Sequence, residues 1–143
     1  MDPHRLQRFL SAQDEGGTYE RALAELRAGQ KRSHWMWFVF PQLAGLGRSP
    51  MAQHYAIGSL AEARAYLEHP VLGARLRECC RVLLDLEDRS AEQILGGIDA
   101  VKLRSSMTLF EHADPGEPLF PEILSRFYEG ERDPATEEIL AGT

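Results

Sequence analysis

The chain predicts an all-α fold, a single compact irregular bundle of six to eight helices. Three observations predict it. Apolar residues recur three and four positions apart in almost every segment, the spacing that lines one face of a helix. Capping residues open successive segments and glycines close them. No segment sustains period-two alternation, and no Asn-Gly or Asp-Gly turn joins two β-type runs.

The elements follow in order. Leu6, Phe9 and Leu10 give a short amphipathic start. Thr18 caps a run with Tyr19, Leu23 and Leu26 on one face, ended by Gly29. Ser49-Pro50 is an N-cap followed by proline at the first helical position, leading into Ala52, Tyr55 and Ala56. Ser59 and Glu62 form a capping box ahead of Ala63, Tyr66 and Leu67. His69-Pro70 restarts the chain as its longest periodic stretch, about residues 70–87, with Leu72, Leu76, Cys79, Cys80, Leu83 and Leu84. Ser90 and Gln93 make a second box, closing at Gly96-Gly97. Asp99 caps a helix carrying Val101, Leu103, Met107 and Phe110. Phe120, Ile123, Leu124 and Phe127 define another, stopped by Gly130. Asp133-Pro134 opens a last short one with Ile139 and Leu140.

With 143 residues, no repeats and no long linker, one domain over residues 1–143 is expected. No apolar run is long enough to span a bilayer, and Met1-Asp2-Pro3-His4-Arg5 has no hydrophobic signal core behind it, so cytoplasmic residence is expected and a membrane partner is not. The adjacent Cys79 and Cys80 are ill placed to bridge on a helix and have no histidine partner. They read as a reduced, half-buried pair rather than a disulfide or a zinc site. Charge is uneven. Residues 1–50 carry seven basic and five acidic side chains, whereas residues 105–143 carry two and nine. That acid argues against a nucleic-acid partner covering the domain, but allows a local cationic site in the N-terminal half.

Lys31-Arg32-Ser33-His34-Trp35-Met36-Trp37-Phe38-Val39-Phe40-Pro41-Gln42 stands apart. It contains both tryptophans, and an exposed run of this kind would invite association. It reads as helix running into an extended segment at Phe40-Pro41, because the residue before proline avoids helical geometry. On that helix Lys31, His34, Trp35 and Phe38 share a face.

That block, together with Gly45-Leu46-Gly47, Tyr55-Ala56-Ile57, Tyr66-Leu67, Leu72-Gly73-Ala74-Arg75-Leu76 and Lys102-Leu103-Arg104-Ser105-Ser106-Met107-Thr108-Leu109-Phe110, resembles the bacterial domain-of-unknown-function family 1810. The similarity extends from about Arg8 to Leu140. It implies a single, mainly α-helical domain and no particular activity. Members are sometimes labelled calpastatin, but that inhibitor is a disordered repeat protein, and this chain is compact and aromatic.

Three places invite chemistry. In the first, Trp35 or Trp37 would be a stacking platform, with Lys31, Arg32 and His34 supplying charge to an anionic ligand. The competing reading makes the aromatics core and ties His34 to backbone. In the second, Lys102, Ser105 and Ser106 share a face after Asp99. They suggest phosphate binding, or more remotely a Ser-Lys nucleophile, against a reading in which the serines bond back to helix carbonyls. In the third, Gly45-Leu46-Gly47-Arg48-Ser49-Pro50 looks superficially like a phosphate loop, but lacks the lysine-serine ending of one and reads more simply as a turn. Gln13, Gln42 and Tyr55 are polar groups near apolar runs that could line a cleft.

The expected site is therefore Lys31, His34, Trp35, Trp37 and Gln42, joined by Lys102, Ser105 and Ser106. The expected ligand is small, anionic and flat-ringed, a nucleotide or ADP-ribose-like molecule. No metal-binding spacing and no cofactor motif occur. Two alternatives stand beside it: an enzyme acting on such a ligand with His34 as general acid or base, and a non-enzymatic protein-interaction module with the aromatic block as pure core. Oligomeric state is not legible.

Overall fold

The computed structural model describes residues 2–142, and within them the architecture is all-α. The helices are α1 (Gln7–Asp14), α2 (Thr18–Arg27), α3 (Met36–Val39), α4 (Pro50–His54), α5 (Leu60–Glu68), α6 (Leu72–Asp85), α7 (Ala91–Leu95), α8 (Gly97–Ala113), α9 (Leu119–Tyr128) and α10 (Pro134–Ala141). Seven of these have eight residues or more and carry the bundle; α3, α4 and α7 are single short turns between them. Among the described residues the only β pairing is an isolated parallel bridge between Leu43 and Ile57.

Most punctuation behaves as the side chains dictate. Ser49 accepts from the Ala52 N–H, and Asp133 accepts from the Thr136 N–H. Ser90 and Gln93 close a full capping box. Other caps differ from expectation. Ser59 accepts from the Glu62 N–H, but Glu62 reaches back to the Gly58 N–H and pairs with Arg8 at 2.8 Å, so the box is only half made. Thr18 is already helical and donates its hydroxyl to the Glu15 carbonyl. Asp99 lies inside the first turn of α8, which begins at Gly97, and its carboxylate is spent on lysines rather than on a cap.

The long helix α8 organises the rest, packing against α5, α7, α9 and α10, while α6 packs against α2, α5 and α9. A helix so surrounded must be apolar nearly all round. Leu103, Met107 and Phe110 are fully buried, and Ser105, Ser106 and Thr108 are buried with them. Hydroxyls survive there by bonding back to the preceding turn: Ser105 donates to the Val101 carbonyl at 3.2 Å and Thr108 to the Arg104 carbonyl at 2.8 Å. The Ser106 hydroxyl has no partner among the described residues.

One close approach fixes the α5–α6 corner. A methyl group added at Gly73 would lie 2.1 Å from the Leu67 carbonyl oxygen, so only glycine lets α6 start against the end of α5. The two cysteines are deeper than expected. Cys79 and Cys80 are both free and fully buried on α6, not half-buried.

Candidate functional site

The aromatic block divides between core and surface because it is not one helix. Helical geometry begins only at Met36; residues 31–35 form an irregular connection from α2. The expectation of a shared helical face for Lys31, His34, Trp35 and Phe38 is therefore corrected. What holds the connection is Glu25 of α2. Its carboxylate accepts from the Arg32 N–H at 2.8 Å, the Ser33 N–H at 3.0 Å, the Ser33 hydroxyl at 2.6 Å and the Trp35 indole N–H at 2.8 Å. Partial burial opposes the charged form of Glu25, but the bonds from Ser33, Arg32 and Trp35 outweigh it and bring its pKa down to about 2.

Beyond this anchor the chain enters the interior. Trp35, Met36, Phe38, Val39 and Phe40 are buried, and Gln13 of α1 seals the end of α3 by donating to the Phe38 carbonyl at 2.7 Å. Gln13 also donates to the Tyr66 hydroxyl and accepts from Arg75, so it is a structural tie and lines no cleft. Trp37 alone of the two indoles remains partly exposed.

Trp37 forms one wall of a cleft of about 540 Å³. That volume suits a drug-sized or nucleotide-sized molecule. Gln42 follows just after the aromatic block, Arg48 and Ser49 come from the Gly45–Pro50 turn, α8 contributes Ile98, Val101, Lys102 and Ser105, and Asp133 also lines the wall. Two segments about sixty residues apart in sequence thus meet face to face. Their junction is charged and aromatic at once. Lys102 Nζ lies 4.5 Å from the centre of the Trp37 ring and 3.6 Å from Asp99, whose other oxygen binds Lys31 Nζ at 2.9 Å. Lys31 in turn lies 5.2 Å from the centre of the Trp35 ring. Each indole thus carries a lysine, and one carboxylate joins the two lysines.

The expected site residues sort cleanly by position. Trp37, Gln42, Lys102 and Ser105 come together on the cleft wall. Lys31 sits behind it, nearly covered and neutralised by Asp99. Trp35 is fully buried with its N–H bound to Glu25, so it offers no ring face to a visitor. Ser106 is fully buried outside the wall, which corrects its shared face with Ser105: neighbouring helical positions diverge by about 100°. His34 is exposed and outside the wall. Tyr55 packs on Phe38 and Phe9 instead.

Arg48, Asp99, Asp133 and the apolar pair Ile98 and Val101 were missing from the expected site. Arg48 had a legible signal, a cation within a glycine turn. Asp99 had another, its position three residues ahead of Lys102 on one helix. The Arg48 guanidinium has no acidic partner among the described residues, whereas the Asp133 carboxylate is engaged with Thr136. Gly47 keeps the turn tight, since a methyl group there would lie 2.5 Å from the Ala52 side chain.

Chemically the cleft offers an indole, two cations, a carboxamide, hydroxyls and the Asp133 carboxylate, with no histidine or cysteine in its wall. Among the described residues no cluster of three His, Cys, Asp or Glu side chains could hold a metal ion, and no helix is long and apolar enough to cross a membrane. His112 lies in the last turn of α8 and pairs with Glu137 across to α10.

Fold and cleft together define a single mainly α-helical domain with one aromatic-cationic concavity. Residues 3–140 match the family described as "Protein of unknown function (DUF1810)", and the chain belongs to it. It is similar to the conserved hypothetical protein Rv1873 of Mycobacterium tuberculosis, whose crystal structure is known at 1.38 Å. The identity is 50% and the TM-score 0.96, with 99% of this chain and 100% of that one covered. No curated protein matches the chain.

Proposed function

We propose that this protein binds a small anionic ligand carrying a flat ring, of nucleotide or ADP-ribose type, in the Trp37 cleft. The observation that carries this reading is the Lys102 ammonium held over the Trp37 indole inside a concavity of ligand size. A phosphate needs cations, and Arg48 and Lys102 supply them on opposite segments. A ring needs an apolar wall, which Trp37, Leu46, Ile98 and Val101 provide. Partial exclusion of water in the cleft strengthens both interactions. Lys31 acts at one remove, by sharing Asp99 with Lys102.

Tryptophan fluorescence tests the reading directly. Trp35 is sealed, so quenching on titration with AMP, ADP-ribose or NAD should come from Trp37 and vanish in Trp37→Phe. Flat calorimetric titrations across that panel at millimolar concentration would overturn it. The enzyme reading has no support from position, because exposed His34 is not part of the wall. A protein-interaction module has one observation in its favour: Ile98 and Val101 are 78% and 60% exposed at the rim of the cleft. A partner's apolar side chain could cover them, and such a partner would leave small-molecule titrations flat.

A further inference from the structure

Gln42 is fixed at its backbone and free at its side chain. Its carbonyl accepts from the Ile57 N–H at 2.9 Å, and the Ala44 N–H donates to the Ile57 carbonyl at 2.8 Å, so the strand-like bridge clamps the main chain on either side. Pro41 ahead of it restricts the backbone further. The carboxamide, by contrast, has no hydrogen-bond partner among the described residues, and it belongs to the cleft wall beside Trp37. Its Nε2 lies 3.4 Å from where a side chain at Gly47 would begin, which places the amide against the glycine turn that also bears Arg48.

The donor and acceptor of this half-buried amide are left to solvent, and a ligand edge that matches both engages them in a directed pair. The amide oxygen accepts one hydrogen and the amide nitrogen donates another, side by side. A flat ring that pairs with it must therefore present a donor next to an acceptor. Adenine does so with its N6 amino group and N7, the pairing by which Asn and Gln read adenine in nucleic acids. On that edge hypoxanthine presents two acceptors, O6 and N7, and leaves the Gln42 oxygen unpaired; its N1–H and O6 match the amide only if the ring turns a different edge to Gln42.

We infer that Gln42 is the specificity residue of the cleft and that the bound ring is adenine. The inference rests on the anion-and-ring reading above and adds the identity of the ring. In the bound state the adenine edge meets Gln42, its face lies along the Trp37 wall, and the phosphate end reaches Arg48 and Lys102.

The test compares AMP with IMP by calorimetry on the wild-type protein, Gln42→Ala and the near-isosteric Gln42→Met, with folding checked by thermal melts. The wild type should prefer AMP by about tenfold or more, the discrimination of one bidentate pair. Both variants should bring the two affinities within about threefold of each other while still binding AMP more tightly than ribose 5-phosphate. If Gln42→Ala fails to fold, Gln42→Met carries the comparison. Equal affinities in the wild type, or an AMP preference that survives in the variants, would overturn the role of Gln42 and leave the anion-and-ring reading standing. No binding of either nucleotide would overturn both.

Discussion

The Trp35 indole N–H donates to Glu25 at 2.8 Å, and through this bond α2 decides which of two neighbouring tryptophans is core. Glu25 gathers three further donors from Arg32 and Ser33, which forbids the helix that residues 31–35 would otherwise extend. Trp35 is pinned inward and Trp37, two residues on, reaches the surface cleft.

Acid should loosen this anchor in a defined window. The folded pKa of Glu25 is about 2 against an ordinary 4.5, so its contribution is fully present above 4.5 and is lost as pH falls through 2. Because the carboxylate is partly exposed, screening reduces that contribution to about 1–2 kcal/mol at neutral pH. Glu25→Gln is expected to lower stability by that order and to flatten the pH dependence of urea midpoints between pH 4.5 and 2. An unchanged acid limb in the variant would assign the effect elsewhere.

Asp99 should separate stability from binding. Asp99→Asn leaves the nearly covered Lys31 without its counter-charge and is expected to cost about 2 kcal/mol or more in denaturant unfolding. The same change releases Lys102, so affinity for AMP should rise by a few-fold. Lys102→Met should do the reverse, weakening AMP about tenfold and making its affinity less sensitive to salt. Equal loss of affinity in both variants would argue that the lysine pair is only structural.

Gly73→Ala is expected to be among the most damaging single changes. Its methyl group would meet backbone rather than a yielding side chain, at 2.1 Å from the Leu67 carbonyl oxygen. Overpacking of this kind costs about 1–3 kcal/mol, and the rigid neighbour puts this site at the upper end. Thermal melts measure it directly; a melting temperature within one degree of wild type would show that the α5–α6 corner can open.

Neither cysteine should react in the native protein. Burial raises the Cys79 thiol to about 12, and burial raises Cys80 well above its usual range, so the thiolate is scarce at neutral pH. Thiol titration at pH 8 is expected to count no fast-reacting groups before denaturation and two after it. A rapid native reaction would reveal an opening of α6.

Local chemistry made much of the fold legible. The caps at Ser49, Ser90 and Asp133 act within one helical turn, so four consecutive residues suffice to specify them. The apolar spacing of α6 and α9 likewise needs no knowledge of partners. Side-chain chemistry marked Trp37 and Gln42, and helical spacing marked Lys102 and Ser105, as residues worth joining. The sequence by itself thus determined an all-α domain and the residue types available for a charged, aromatic site.

Only the tertiary structure decided how those residues were shared out. Trp35 and Trp37 have the same chemistry, and nothing local says that Glu25 will claim one of them. Lys31 and Lys102 read alike, and both pair with Asp99, until the fold nearly covers the first and sets the second on the cleft wall. Ser105 and Ser106 differ by one step around α8, yet that step separates the cleft from the core. Burial and ion pairing are set by contacts between elements far apart in the chain, and such contacts leave no periodic trace in the sequence.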